Sequence, residues 1–140
     1  MTSGGRTCVG DLHSHLRPAV DDGARSLEEA LEAVERMAAA GIGKIVTTPH
    51  ANASLTHDSS LLGAWLDEVD ESWQELVEQV QQRFPDVELL RGHEVMRDVP
   101  DPDFSDARLR LAGTSFVLVE WPRLQRADCG HGVPSDPCAP

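Results

Sequence analysis

The chain has 140 residues, 24 acidic against 12 basic, and a formal net charge of −12. That length holds one domain with a modest core. The acidic balance argues against nucleic acid and anionic membrane as partners, but not against a phosphorylated substrate, because bound cations add local positive charge.

Cys8, Cys129 and Cys138 lack zinc-finger spacing and form no paired framework, so they read as incidental thiols in a reducing compartment. No long apolar span occurs, and the segment from Met1 to Thr7 lacks an apolar signal core. The expectation is a soluble, cytoplasmic protein that does not insert into membranes.

In chain order, residues 1–7 read as a loose leader. Cys8 to Leu12 predicts a first strand, with His13 and His15 leaving its C-terminal end. Arg17 to Arg25 is a loop marked by Pro18 and Asp22-Gly23. Ser26-Leu-Glu-Glu29 has the form of a capping box. Leu27, Ala30, Leu31, Val34, Met37 and Ala38 then repeat with helical period up to a stop at Gly41. Ile42 to Thr47 predicts a second strand, followed by His50. Strand, helix and strand joined this closely predict a right-handed βαβ unit with parallel strands.

Ala51 to Asp58 reads as a polar loop carrying His57. From Ser59 to Phe84, Leu61, Leu62, Trp65, Leu66, Val69, Trp73, Leu76, Val77 and Val80 draw one helical stripe, which makes both tryptophans packing residues. Pro85 ends it. Val87 to Leu90 predicts a third strand before Gly92-His93-Glu94. Val99 to Asp103 is loop, and Phe104 to Ala112 fits either a short helix or an edge strand. Thr114 to Val119 predicts a fourth strand ending on Glu120. Residues 8–122 are expected to form the domain, and 123–140 an irregular tail.

His13, His15, Asp22, His50, Glu94 and Glu120 each lie at or beyond the end of an apolar run. In an extended segment His13 and His15 point to one face. In a parallel α/β sheet or barrel all C-terminal strand ends lie on one side, so residues dispersed in sequence converge. Imidazole mixed with carboxylate suits Zn²⁺, Mn²⁺ or Fe²⁺ rather than Ca²⁺. Other readings stay open: Glu120 as a solvated strand end, Glu94 as a loop carboxylate, Asp22 (or Asp21 in its stead) serving the Asp-Gly turn. His57, His93 and His131 read as surface histidines, and Arg17 and Arg97 as solvated arginines near the site.

The run from Asp11-Leu-His-Ser-His15 through Pro18 and Asp21-Asp-Gly23, with Ser26-Leu-Glu-Glu-Ala30 and then Thr47-Thr-Pro-His50, resembles the PHP (polymerase and histidinol phosphatase) superfamily. Within it the chain is similar to the bacterial metal-dependent protein-tyrosine phosphatases of capsule and exopolysaccharide synthesis. The resemblance implies an α/β fold, the N-terminal part of a distorted (β/α) barrel, with several divalent ions. Mn²⁺ is foremost, with Fe²⁺ or Zn²⁺ as alternatives. It implies His13 and His15 on a first ion, Glu94 bridging the first and second, Glu120 on the second, and Asp22 with His50 on a third. The reaction it implies is hydrolysis of phosphotyrosine, on a tyrosine autokinase that controls polysaccharide export.

The family pattern stops soon after Trp121-Pro122, as in a C-terminally truncated member, which implies weak or absent activity. A histidinol-phosphatase-like enzyme of small molecules and a non-catalytic metal-binding remnant stay open as alternatives. An open half-barrel would leave a strand edge and apolar surface for a second copy to cover. No Cys-x5-Arg loop is present, so thiol-based phosphatase chemistry is not supported.

Overall fold

The computed structural model describes residues 9–16 and 23–122. The leader, the tail, His131 and the loop with Arg17, Asp21 and Asp22 lie outside the described residues. In order come β1 (Val9–Ser14), α1 (Leu27–Ala39), β2 (Ile42–Thr47), β3 (His50–Asn52) and a 3₁₀ turn at Ala53–His57. Then follow α2 (Ser59–Arg83), β4 (Glu88–Arg91), β5 (Glu94–Met96), 3₁₀ turns at Ala107–Leu109 and Leu111–Gly113, and β6 (Leu118–Glu120).

Both helices start where a side chain can satisfy their orphan amides. Ser26 Oγ accepts from the Glu29 amide at 3.2 Å. The Glu29 carboxylate reaches past the cap residue to accept from the Arg25 amide at 2.8 Å. Gly41, at φ 87°, supplies the left-handed turn that stops α1. Asp58 caps α2 by accepting from the Ser60 and Leu61 amides, each at 3.0 Å. Ala30, Leu31 and Val34 of α1 pack with Leu76, Val77 and Val80 of α2 on Ile45 and Leu89 of the sheet. Leu62 and Leu66, nearer the start of α2, pack on Ala51, Val95 and Leu109. Each valine, leucine or isoleucine side chain so enclosed contributes roughly 1.5–3 kcal/mol. Trp65 and Trp73 pack against these cores as expected, but Leu61 is exposed, because Leu62 beside it takes the inward position.

All strand pairs are parallel, in the orders β1-β2-β4 and β3-β5-β6. The two sheets are one sheet with a break. Thr47 pairs with Arg91 and His50 with Glu94, so an offset of 44 residues holds on both sides of the gap. Across it Gly92 N donates to Thr47 O at 2.9 Å and Glu94 N to Pro49 O at 3.1 Å. The ladder bond that residue 49 would return is missing because proline has no N–H. The sheet is therefore four parallel strands in sequential order, as in a (β/α) barrel. Right-handed crossovers put the helices on one side and leave the other side open.

Three stretches differ from expectation. Ala51 to Asp58 is not simply a loop: it holds β3, paired with β5, and the 3₁₀ turn. Phe104 to Ala112 is neither regular helix nor edge strand but two 3₁₀ turns, the first capped by Asp106. The fourth strand begins at Leu118, not Thr114. Its approach is a closed turn in which Thr114 N donates to Leu111 O and Leu111 N to Phe116 O.

The Asp106 turn is held by Arg108, which also reaches Asp67 on α2 at 2.8 Å. The hydrogen bonds from Arg108 hold the Asp106 carboxyl below its usual range, and burial pushes more weakly the other way. A depressed folded-state value stabilises the fold fully above the ordinary value of 3.8 and is lost as pH falls below it. The Asp106→Asn variant is therefore expected to be less stable than the parent at neutral pH. The gap should narrow below pH 3.8, measured by urea midpoints along a pH series. A gap that does not change with pH would contradict the pairing.

Candidate metal centre

β1 carries the first two candidate ligands, and a bulge aims them. Asp11 pairs with Ile45 and Ser14 with Thr47, so β1 holds one residue more than β2 over this stretch. A bulge reverses the alternation of side chains. His13 and His15 thereby share a side with Val46, away from the helices that cover Ile45. Their Nε2 atoms are 3.1 Å apart.

β3, β5 and β6 supply the rest by register. His50, Glu94 and Leu118 lie abreast, and Asn52, Met96 and Glu120 lie abreast one pleat further on. Side chains abreast or two apart share a face. Ala51 and Val95, between them, point to the apolar core. His50, Glu94 and Glu120 are thus on the open side.

Glu94 is the centre of the group, with only 9% of its surface exposed. Its Oε2 lies 3.0 Å from His13 Nε2, 3.2 Å from His15 Nε2 and 3.3 Å from His50 Nδ1. His50 Nδ1 is also 3.4 Å from Glu120 Oε2. Among the described residues two donor groups form, His13 with His15 and Glu94, and His50 with Glu94 and Glu120. Glu94 belongs to both.

The donor set fits divalent ions. Donors each about 2.1 Å from one ion stand about 3.0 Å apart at a right angle and about 3.4 Å apart at the tetrahedral angle. The separations here are of that size. Among the described residues Glu120 Oε2 is buried and, apart from the 3.4 Å contact with His50 Nδ1, accepts no hydrogen bond, and such an atom is costly without a cation or a donor. Protons alone serve the cluster poorly, since a neutral imidazole offers one N–H and three rings crowd one carboxylate oxygen.

Of the six candidate ligands, five come together. Asp22 lies outside the described residues, but the next residue, Gly23, touches the end of β1. A Cβ on Gly23 would fall 2.1 Å from His15 O, and the Ala24 amide donates to that oxygen at 3.0 Å. His50 Nδ1 stands beside Glu94 and Glu120, and the pairing with Asp22 that the resemblance implied lies outside the described residues.

His93 is not a surface histidine. It is buried, its ring 5.3 Å from that of Trp65, and its Nδ1 lies 2.9 Å from Arg108 O. A carbonyl only accepts, so Nδ1 carries the proton. His93 lies two residues before Val95 and so shares its inward face, while its neighbour Glu94 faces the cluster. His57 is exposed as expected and bonds Asp101 O at 3.2 Å. Arg97 is not freely solvated: it stacks on Trp121, a residue the sequence did not mark except as the end of a pattern.

No helix of the described residues is long and apolar enough to cross a membrane. The family model for capsular polysaccharide synthesis, CpsB/CapC, matches residues 9–129. The tyrosine-protein phosphatase YwqE of Bacillus subtilis (strain 168) is 26% identical over 114 residues, covering 80% of this chain and 42% of that protein. A chain from the crystal structures of YwqE from Bacillus subtilis and CpsB from Streptococcus pneumoniae, described as metal-dependent tyrosine phosphatases, superposes with a TM-score of 0.62. At 24% identity, over 81% of this chain and 44% of that one, it shows the shared fold. The chain spans less than half the length of these relatives. With a match over most of its length and the parallel fold of the same group, the chain belongs to the CpsB/CapC family of capsular polysaccharide synthesis.

Proposed function

We propose that the chain is a metal-dependent phosphoric monoester hydrolase acting on phosphotyrosine in a protein, in the cytoplasm, as part of capsule or exopolysaccharide regulation. The observation that carries it is the convergence of three imidazoles and two carboxylates on the open side of the sheet, with Glu94 common to both groups. His13, His15 and Glu94 would hold one ion, and Glu94, Glu120 and His50 a second. Asp22 would join from the loop beyond His15. Mn²⁺ is the ion proposed, with Fe²⁺ and Zn²⁺ as alternatives of the same donor chemistry. When bound, such ions polarise phosphoryl oxygens and make water a stronger acid. The chain's own part is to fix the donors in place: Glu94 by burial, His13 and His15 by the bulge, His50 by register. The protein substrate proposed is a tyrosine autokinase, which the resemblance implies.

Each donor group has three protein ligands among the described residues. The test is phosphate release from a phosphotyrosine peptide with added Mn²⁺. The expected result is metal-dependent hydrolysis that the His13→Ala, His15→Ala double variant loses. Equal release by both proteins would contradict the reading.

A further inference from the structure

Two polar side chains flank the bulge in β1. Asp11 is the last residue of β1 abreast of β2 before it, and Ser14 the first after it. The Asp11 carboxylate accepts from the His13 amide at 3.1 Å. The Ser14 hydroxyl donates to Val46 O at 2.9 Å. Thr48, fully buried, gives two donors to Ser14 O, its amide at 2.7 Å and its hydroxyl at 3.4 Å. Packing holds this stretch only loosely, because Leu12 is 65% exposed and the His13 side chain 47%.

We propose that Asp11 and Ser14 are positioning residues of the metal centre, whose side chains fix the bulge in the one place where His13 and His15 face the same ion. The inference rests on the metal-centre reading above and adds residues that touch no ion themselves. Among the described residues β1 is an edge strand, so one side alone holds its register. Were the extra residue to lie beyond His13, His13 would stand abreast of Thr47 and turn to the side of Ile45, where the helices lie. Asp11 bonds across the extra residue from one side, and Ser14 re-attaches the strand to β2 from the other. Without the bulge Ser14 would stand abreast of Thr48, and Val46 O would be one residue out of register. Thr48 is also two residues before His50, so the same tie joins the end of β1 to the segment that carries the histidine of the second donor group.

The test is calorimetric Mn²⁺ titration of the whole chain, paired with thermal melts of the metal-free proteins. Ser14→Ala and Asp11→Ala are each expected to weaken Mn²⁺ binding about tenfold, the lower end of what outer partners of metal ligands contribute. Two conservative variants should rescue it. Ser14→Thr keeps a hydroxyl, and Asp11→Asn keeps an accepting oxygen while losing the charge, so both should stay within about threefold of the parent. The Asp11 pair thereby separates positioning from the loss of a negative charge near the ions. Val87→Ala is the control: it thins the apolar core just before β4, at the opposite end of the sheet, and should lower the melting temperature while keeping parental Mn²⁺ affinity. Parental affinity in Ser14→Ala or in Asp11→Ala would overturn the inference and leave the metal centre standing, as would a loss in Asp11→Asn equal to that in Asp11→Ala. Should Ser14→Ala fail to fold, the Asp11 pair decides alone. A parent chain that binds no Mn²⁺ would overturn both.

Discussion

The Glu94→Gln variant is expected to lose Mn²⁺ affinity by roughly 100-fold or more, beyond the 10–100-fold that even outer partners of metal ligands cost. The size follows from the position. One oxygen of Glu94 faces His13, His15 and His50 at 3.0–3.3 Å, and the side chain belongs to both donor groups. The substitution removes one negative charge from two ion sites at once while keeping the shape. A buried neutral amide costs less than a buried carboxylate, so the metal-free variant should melt at or above the parent temperature. Calorimetric Mn²⁺ titration with paired thermal melts measures both. Unchanged Mn²⁺ affinity would remove Glu94 from the centre.

The Gly23→Ala variant is expected to weaken Mn²⁺ binding by about tenfold or more and to destabilise the chain by about 1–3 kcal/mol, the usual cost of forcing atoms into filled space. The added Cβ would lie 2.1 Å from His15 O and 2.6 Å from its Cβ. The first obstacle is backbone, so no rotamer change relieves it. The loop and the end of β1 must separate, and the bond from the Ala24 amide to His15 O is lost. His15 then moves relative to His13 and Glu94, now 3.1 and 3.2 Å away. The effect should fall on the centre and also on the apolar core, because Leu16, next to His15, packs in that core, while β1 is an edge strand among the described residues. A variant with parental affinity and stability would refute the close approach.

The helices were legible because their signals are local. Ser26 and Gly41 bracket α1, Asp58 and Pro85 bracket α2, and the apolar period between them is unbroken. The four parallel strands were legible as apolar runs. What could not be read was anything set by register between distant strands. β3 and β5 are three residues each, too short for a period, and exist because Pro49 faces the Gly92 to Glu94 stretch across an unchanged offset. The burial of His93 follows from the two-residue alternation that continues from Leu89 to Val95 through Gly92. The common face of His13 and His15 was expected from their spacing, but which side of the sheet they take depends on the bulge after Asp11. The candidates His13, His15, His50, Glu94 and Glu120 were legible as strand-end residues. That one oxygen of Glu94 meets three imidazoles was not, since no spacing in the chain encodes it. The stacking of Arg97 on Trp121 was hidden for the same reason.

The proposed ions would lie between β1, β3, β5 and β6. The most direct measurement is anomalous diffraction at the manganese edge from crystals of the chain loaded with Mn²⁺. The predicted result is a peak among His13, His15 and Glu94, with a second among His50, Glu94 and Glu120. A map without peaks at those donors, or with manganese held only by surface carboxylates such as Asp67 and Asp70, would contradict it.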